Sequence, residues 1–344
     1  MITIKTQSLR DFQKLTQYIK PNTVLPILNN LHLTHDGANW ILTKNNINAL
    51  CCSQIQAEGD PDALLLDERI LFGLLSITKA DEIKISREGG TVTLEAGPDK
   101  PFFQSEDPKL FPLLPLEDTG ETFKLIPGVL RAIQIARNFT YDNEASANYQ
   151  FVHISGSCIS GIHNSFFYVN NEFENLPTFL LSREQADIIT ALENVEYGRS
   201  ESKNYFYTPG TTYVFAKSEY KPPNVPALLP RLEAAGKAFS IDKASIVDFI
   251  TVANICSDSP LVQCSIEQAG AFANLKMIDT AFGRGADRQA MITGSFDKFS
   301  FDSRLVGPVV KTIPYDVMSC KTNQNCLIVT GHKEYFCFIG MQIN

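Results

Sequence analysis

The chain repeats itself about every 115 residues, and this periodicity limits its fold more than any other feature. The triplet Leu113-Leu114-Pro115 recurs as Leu228-Leu229-Pro230, 115 positions further along. A short apolar strand and then a helical pattern follow each triplet. A chain of 344 residues therefore has room for three copies of one unit.

Two helical patterns occur in each copy. The first set comprises Ser8–Lys20, Pro127–Phe139 and Asp242–Cys256. The second set comprises Asp67–Lys79, Ser182–Asn194 and Asp302–Ile313. Each helix of the second set opens on a residue that is well suited to cap a helix N-terminus, namely Asp67, Ser182 and Asp302. Pro308 is expected to kink or shorten the last helix, because proline lacks an N–H donor.

Strand patterns with a period of two accompany the helices, and three of them predict hairpins. The predicted hairpins join 82–86 to 91–95, 205–207 to 213–215, and 326–329 to 335–339. The fold class is therefore α+β, with two helices and several antiparallel strands in each copy. We place the domains at residues 1–117, 118–232 and 233–344. Periodicity alone leaves open a generic α+β tandem repeat whose copies share no task.

Composition restricts where the protein works and what it binds. The net charge of −8 argues against a simple nucleic-acid binder, so any DNA-binding surface must concentrate positive charge locally. The eight cysteines form no Cys-x-x-Cys pair and are interpreted as small buried thiols in a reducing compartment. The N-terminus does not resemble a signal peptide, and no apolar run approaches the roughly 20 residues of a membrane helix. The sequence thus predicts a soluble, cytoplasmic protein.

Enzymatic and metal-binding patterns are absent from the sequence. There is no Gly-x-x-x-x-Gly-Lys phosphate loop, and Gly283-Arg284-Gly285 is too short for a dinucleotide fingerprint. The chain has only five histidines, and His32 and His35 lie on a predicted strand and its turn. The acids near Asp279 and Asp287 are scattered, so a nuclease metal site has no support. We predict no catalytic residue, no cofactor and no metal site.

Several motifs resemble one known family along the whole chain. Residues Leu25-Pro26-Ile27-Leu28-Asn29-Asn30-Leu31-His32-Leu33, followed by Asp36-Gly37, closely resemble the first domain of the bacterial sliding clamp, the beta subunit of DNA polymerase III. Phe111-Pro112-x-Leu114-Pro115 is similar to that family's first domain junction, and residues 217–231 to its second. The ending Phe338-Ile339-Gly340-Met341-Gln342-Ile343-Asn344 is similar to the family's apolar tail.

Three departures indicate a divergent member. Asn22 stands where the family has a DNA-contacting arginine, with Lys20 nearby. The second domain's usual Thr-Asp-Gly-His-Arg-Leu segment is present only as Ser160-Gly161-Ile162-His163-Asn164-Ser165. The tail lacks the family's proline and arginine. These changes concern the partner-binding pocket more than the ring.

The resemblance implies a DNA sliding clamp: helices line a ring, antiparallel sheets lie outside, and double-stranded DNA passes through without regard to its sequence. It implies a head-to-tail homodimer as well, with a DNA polymerase and a clamp loader as partners. The six predicted helices carry eleven basic and nine acidic residues, a slight excess of positive charge. The DNA-binding candidates are Arg10, Lys14, Lys20, Arg69, Lys79, Arg131, Arg137, Tyr149, Arg183, Arg304 and Lys311. For any one of them, an ordinary solvated helix face is the competing interpretation.

The family's partners insert short peptide tails into an apolar pocket between the second and third domains. Carried over by position, the pocket is lined by Phe151, Gly161, His163, Pro223, Leu228, Ile339 and Met341. Core packing is the alternative for each of these residues taken singly. The alternative for the whole protein is a clamp-like scaffold or decoy that binds polymerase tails and does not encircle DNA.

Overall fold

A computed structural model describes residues 1–114, 116–140, 149–163, 166–220, 227, 230, 236–279, 282–323 and 326–340. Within these ranges the chain contains six α-helices and 25 β-strands. No helix of the described part is long and apolar enough to cross a membrane.

The first repeat contains two helices, α1 (Thr6–Thr16) and α2 (Glu68–Ile77). Its strands are β1 (Ile2–Lys5), β2 (Asn30–His35), β3 (Trp40–Asn45), β4 (Ala49–Ile55), β5 (Ala57–Gly59), β6 (Leu64–Asp67), β7 (Glu82–Glu88), β8 (Thr91–Glu95) and β9 (Phe102–Gln104).

The second repeat contains α3 (Pro127–Arg137) and α4 (Arg183–Thr190). Its strands are β10 (Phe123–Lys124), β11 (Phe151–Gly156), β12 (Cys158–Ile162), β13 (Phe166–Asn170), β14 (Leu176–Ser182), β15 (Glu196–Arg199), β16 (Lys203–Thr208) and β17 (Thr211–Ala216).

The third repeat contains α5 (Lys243–Cys256) and α6 (Ser303–Thr312). Its strands are β18 (Lys237–Asp242), β19 (Gln263–Ala269), β20 (Phe272–Asp279), β21 (Arg284–Gly294), β22 (Phe299–Asp302), β23 (Val317–Asn323), β24 (Cys326–Thr330) and β25 (Glu334–Ile339).

Each repeat is itself two copies of one motif, a strand followed by a helix and then three strands. The two copies exchange their first strands: β1 joins β7, β8 and β9, whereas β6 joins β2, β3 and β4. The same exchange occurs in the second and third repeats, so that β10 joins β15–β17 and β18 joins β23–β25. All the strand pairs are antiparallel, which explains why the period-two signal was strong in every copy.

The chain divides into two compact units. One comprises Met1–Ile126 and Asp187–Ser218, and the other comprises Pro127–Ala186 and Glu219–Asn344. Each unit contains part of the second repeat, because β17 pairs with β4 and β13 pairs with β25. The domain limits at residues 117 and 232 stay a prediction.

All six predicted helices are confirmed, with ends that shift by only a few residues. The capping predictions are confirmed as well: Asp67 accepts from the N–H of Ile70 at 2.9 Å, and Asp302 accepts from that of Arg304 at 3.0 Å. Ser182 forms a reciprocal capping box with Gln185. The last helix continues through Pro308 to Thr312, so the expected shortening does not occur. The three predicted hairpins correspond to β7–β8, β16–β17 and β24–β25.

Two equivalent glycines mark the point where the first motif crosses to the neighbouring sheet. Gly59 pairs with Ile2 of β1, and Gly294 pairs with Phe239 of β18. Their φ angles are +137° and +95°, and a Cβ at either position would overlap a backbone carbonyl oxygen of the paired strand or the residue before it. Only glycine allows this close approach of two backbones.

Candidate functional site

The basic candidates of the first repeat lie on or next to the exposed faces of α1 and α2. Lys14, Lys20, Arg69 and Lys79 are exposed. Arg10 is half-buried and donates to the carbonyl oxygen of Thr78, the residue that caps the C-terminus of α2, at 2.9 Å. A cation at that helix end is stabilised by the helix dipole. Arg10 therefore combines a structural contact with its position on the candidate surface.

A buried ion pair neutralises one acidic residue of α2, which leaves this surface more positive. Glu68 in the first turn of α2 forms a 2.6 Å ion pair with Lys44 of β3, and the two side chains are only 17% and 5% exposed. The negative charge of Glu68 is thus neutralised by a lysine in the protein interior. Arg69 in α2 and Lys79 just after it are exposed cations.

Helix α3 carries basic residues and no acidic residue. Arg131 is exposed, whereas Arg137 is half-buried and donates to the side-chain oxygen of Asn138 at 3.3 Å. The opposite face of the helix buries Val129, Ala132, Ile133, Ile135 and Ala136. Apolar packing on one side thus aims Arg131 at solvent.

In the third repeat, α6 holds both basic candidates. Arg304 is exposed and donates at 2.8 Å to the carbonyl oxygen of Ser257, which caps the C-terminus of α5. Lys311 is exposed in the last turn. In α5, by contrast, the exposed Asp248 pairs with Arg288 of β21 at 3.0 Å. Positive charge is therefore distributed unevenly over the described helices, with α5 contributing none of the candidates.

The remaining two candidates, Tyr149 and Arg183, are half-buried. Arg183 is the first residue of α4. The loop 142–148, which precedes Tyr149 and which the family resemblance places near DNA, lies outside the described residues.

Asn22 has a role that its sequence position did not indicate. Its side-chain oxygen accepts from the backbone N–H groups of Val24 and Leu25 at 2.8 and 2.7 Å. Its side-chain nitrogen donates to the carbonyl oxygen of Asn46 at 3.1 Å. These bonds fix the loop after α1. A phosphate contact from this position would have to compete with them.

Three of the seven pocket candidates lie at one end of the sheet that contains β11–β13, β24 and β25. Phe151 opens β11, Ile339 closes β25, and His163 follows β12. Phe151 also packs against Tyr220, with ring centroids 5.6 Å apart. Pro223, Leu228 and Met341 lie outside the described residues.

The pocket candidates are divided between the two faces of this sheet. Gly161 faces α3, since a Cβ there would overlap the carbonyl oxygen of Ala136. His163 stacks on Phe166, which itself contacts Phe139 after α3. Burial lowers the pKa of His163. These two candidates therefore pack on the helix side.

The other face of the sheet carries an apolar cluster that the sequence reasoning missed. Cys158, Val169, Ile328, Tyr335 and Cys337 form its buried part, and Ile162, Phe167 and Cys326 pack against it half-buried. Cys326 lies directly opposite Ile339 in the β24–β25 pair, so both point to this face. The alternation of β24 and β25 could have indicated these residues. We call this set the outer-face cluster.

A buried carboxylate links the second and third repeats on the helix side. Glu334 accepts from Tyr168 and Asn170 of β13 at 2.9 and 3.0 Å, and from the hydroxyl of Tyr315. Burial and the carboxylate raise the pKa of Tyr168. The network ties β13 to β25 beside the Phe139 cluster.

Neither a family model nor a curated protein matches the sequence. Solved structures do match. The chain is similar to the beta subunit of DNA polymerase from Streptococcus pyogenes (13% identity, 99% of this chain and 100% of that one, TM-score 0.87) and to the DNA polymerase III beta subunit of Pseudomonas aeruginosa (14%, 100% of both, 0.87). It is likewise similar to the C. crescentus beta sliding clamp (12%, 99% and 98%, 0.89).

These likenesses, together with the threefold repeat, assign the chain to the DNA sliding clamp class of folds. Within that class, the fold is that of the beta subunit of bacterial DNA polymerase III. The predicted fold class and resemblance are confirmed, and identities of 12–14% fit a divergent sequence. The roles of individual site residues stay predictions.

Proposed function

We propose that the protein is a non-enzymatic DNA sliding clamp that acts in the cytoplasm. Two copies associate head to tail into a ring around double-stranded DNA. A separate clamp loader opens the ring, which then tethers a DNA polymerase and other partners to the template. The strand pairing between repeats is the observation that carries this proposal.

Successive repeats are joined by one rule. The last strand of the first motif pairs with the last strand of the second motif in the next repeat: β4 with β17, and β13 with β25. The rule leaves two strands over. β9 ends its sheet, and residues 284–291 of β21 pair, among the described strands, with β20 alone. Pairing β21 of one copy with β9 of the other extends the rule, and two such junctions close a ring of two chains.

Exposed apolar side chains at both leftover edges support this pairing. Phe102 in β9 is 71% exposed, and Ile278 near the end of β20 is 70% exposed. Ile255 at the end of α5 is 74% exposed. Large apolar side chains of this kind are typical of a surface that a partner covers.

The junction inside the chain indicates what would cover Ile255. Phe139 lies twelve positions after the first residue of α3, as Ile255 does after the first residue of α5. Phe139 is fully buried and contacts Phe336 and Phe338 of β25, the strand that the next repeat supplies. In the dimer, β9 of the second copy takes the position of β25 and covers Ile255.

Sequence-independent DNA binding follows from the exposed basic side chains. Arginine and lysine on helix surfaces contact phosphates, which carry no sequence information. The net charge of −8 keeps DNA away from the remaining surface. A ring needs only this kind of weak, mobile contact, because topology and not affinity retains the DNA.

Partners bind, in this proposal, by short peptide tails at the sheet end that carries Phe151 and Ile339. The outer-face cluster supplies an apolar floor beside these residues. An extended peptide with apolar side chains fits such a surface.

The solution mass tests the ring first. We expect twice the chain mass of 38.2 kDa. Ile255→Asp places a charge in the proposed junction and should yield monomers, whereas Ile77→Asp, at an exposed position of α2, should leave the dimer intact. Retention on DNA then tests encirclement. With a loader and ATP supplied, the wild type should remain bound to circular DNA and slide off the ends of linear DNA. A wild-type monomer, or release that ignores topology, contradicts the ring.

The scaffold that does not encircle DNA is the second candidate, and Asn22 favours it. The hydrogen bonds of Asn22 hold the loop in place of a DNA-contacting arginine, and α5 offers an acidic residue on its exposed face. This candidate predicts a monomer that still binds polymerase tail peptides.

A further inference from the structure

Cys326 and Cys337 form a pair of neighbouring thiols whose sulfur chemistry no part of the clamp function uses. They lie on adjacent antiparallel strands, with Cys326 opposite Ile339 and Cys337 opposite Ile328. The two cysteines are therefore diagonal neighbours on one face of the sheet. Both belong to the outer-face cluster, in which Cys326 is half-buried and Cys337 is buried.

The thiols of this pair differ chemically from the other buried cysteines. Burial raises the pKa of Cys158 to about 11, and those of Cys264 and Cys320 to about 12, so these groups remain protonated and inert. The pKa of Cys326, in contrast, is lowered, and the neighbouring Cys337 thiol is the main cause. The interaction with Cys326, together with burial, raises the pKa of Cys337.

The surroundings of Cys326 decide what the thiol could do. The titratable groups of the cluster around it are Cys158, Tyr335 and Cys337. The directly opposite residue, Ile339, is exposed and is a candidate for binding partner peptides. A group attached to Cys326 would lie beside Ile339, on the floor of the proposed pocket.

We propose that Cys326 is a thiol-modification site for small disulfides and similar soft electrophiles, with Cys337 as the residue that positions and stabilises its thiolate, and that modification closes the partner pocket. In the reaction, the Cys326 sulfur bonds to one sulfur of the disulfide as the original S–S bond breaks. Cys326 reacts as the thiolate after it loses its proton to water, and the other sulfur leaves as a thiolate that is protonated only if its pKa lies above the pH. A thiol reductant reverses the exchange. The reactivity stands on the thiol pair alone, whereas the effect on binding rests on the proposed function.

Reaction with a small aromatic disulfide tests the site in the full chain. We expect one fast-reacting thiol at pH 7, which Cys326→Ser removes and Cys256→Ser leaves unchanged. Cys337→Ala should slow this thiol about tenfold at pH 7 and move its rate profile to higher pH, while Cys337→Ser, which keeps a donor, should preserve most of the rate. A purely structural Cys337 would leave the pH profile in place. A Cys326 that reacts no faster than Cys256, or that ignores Cys337→Ala, overturns the proposal.

Peptide binding separates this inference from the clamp function. A short tail peptide of a bacterial DNA polymerase III should slow the modification of Cys326, and the modified protein should bind that peptide at least tenfold more weakly. Peptide that binds without protecting Cys326 overturns the closing of the pocket. Fast modification of Cys326 together with no peptide binding to the reduced protein overturns the pocket of the proposed function instead, and leaves the reactive thiol established.

Discussion

The hydroxyl of Tyr168 donates a 2.9 Å hydrogen bond to the carboxylate of Glu334, and both side chains are buried. Tyr168 lies on β13 of the second repeat and Glu334 on β25 of the third. The bond therefore crosses the junction that the chain makes within itself. A charge in this position is tolerated only because three donors surround it.

Tyr168→Phe should lower the free energy of unfolding by about 1–3 kcal/mol, since it leaves a buried carboxylate with one donor fewer. Urea denaturation monitors the loss. The matched control is Tyr18→Phe, at an exposed position after α1, which should change stability by less than about 0.5 kcal/mol. Equal effects of the two substitutions would contradict a role for the Glu334 network in stability.

The ion pair between Lys44 and Glu68 should be worth far more than the exposed pair between Lys5 and Glu82. The first pair is almost fully buried, whereas the side chains of the second are 54% and 42% exposed. Lys44→Met leaves a buried carboxylate uncompensated and should cost about 3–5 kcal/mol. Lys5→Met should change the stability little, because solvent screens the exposed pair. A double-mutant cycle on each pair measures the difference, which must favour the buried pair if this account is right.

Gly59→Ala and Gly294→Ala should both destabilise strongly and to a similar degree, because the two glycines occupy equivalent crossings. Each substitution forces alanine into a positive φ and also places its Cβ against backbone atoms. The overlap should cost about 1–3 kcal/mol in addition to the cost of the positive φ, which we call the conformational term. Gly37→Ala, at φ +98° with open space around it, isolates that conformational term. Unfolding free energies of the three variants check the prediction, and a Gly294→Ala variant as stable as Gly37→Ala would refute it.

The sequence predicted the periodic elements because their signals are local. A cap such as Asp302 and an alternating strand such as β8 depend on neighbours within a few residues, and both were confirmed. The exchange of first strands between motifs left no local signal. It joins residues about 80 positions apart, such as Ile2 and Ile85, and it became visible only in three dimensions.

The candidate sites were less predictable for a related reason. Gly161 and His163 were selected by position in a motif, but the pleat of the sheet turns them toward α3. Cys326 was interpreted as an ordinary buried thiol, because its contact with Cys337 depends on strand register. The role of Asn22 depends on Asn46, which lies 24 residues away. Long-range contacts of this kind require the fold.

Stability should decrease as the pH falls below about 6.5, in part because of His32. Burial lowers the pKa of this side chain, which stacks on Phe111, and its Nδ1 has no hydrogen-bond partner among the described residues. Below about pH 6.5 the unfolded chain binds a proton that the folded chain refuses, so the folded state loses up to about 1.4 kcal/mol per pH unit until the lowered pKa is reached. Above pH 7 the group is neutral in both states and contributes nothing.

His32→Phe retains the stacking and removes the titration. The unfolding free energy of this variant should therefore decline less steeply between pH 6.5 and pH 5.5 than that of the wild type. His163, which burial affects in the same direction, supplies a second part of the slope. Urea titrations at several pH values measure the free energy of unfolding of the variant and of the wild type. If the two free energies fell in parallel with pH, His32 would be excluded as a cause of the pH dependence.

Salt dependence offers the sharpest test of the basic helices. Each phosphate that a cation neutralises contributes about 0.9 to the slope of log K against log salt on duplex DNA. Arg131→Gln removes the exposed cation of α3 from each subunit and should reduce that slope by about 1 for each subunit, equally for DNA of any sequence. Lys276→Gln, an exposed position on β20, removes the same charge from a sheet and should leave the slope unchanged. If both substitutions reduced the slope alike, net charge and not the helix surface would govern DNA binding.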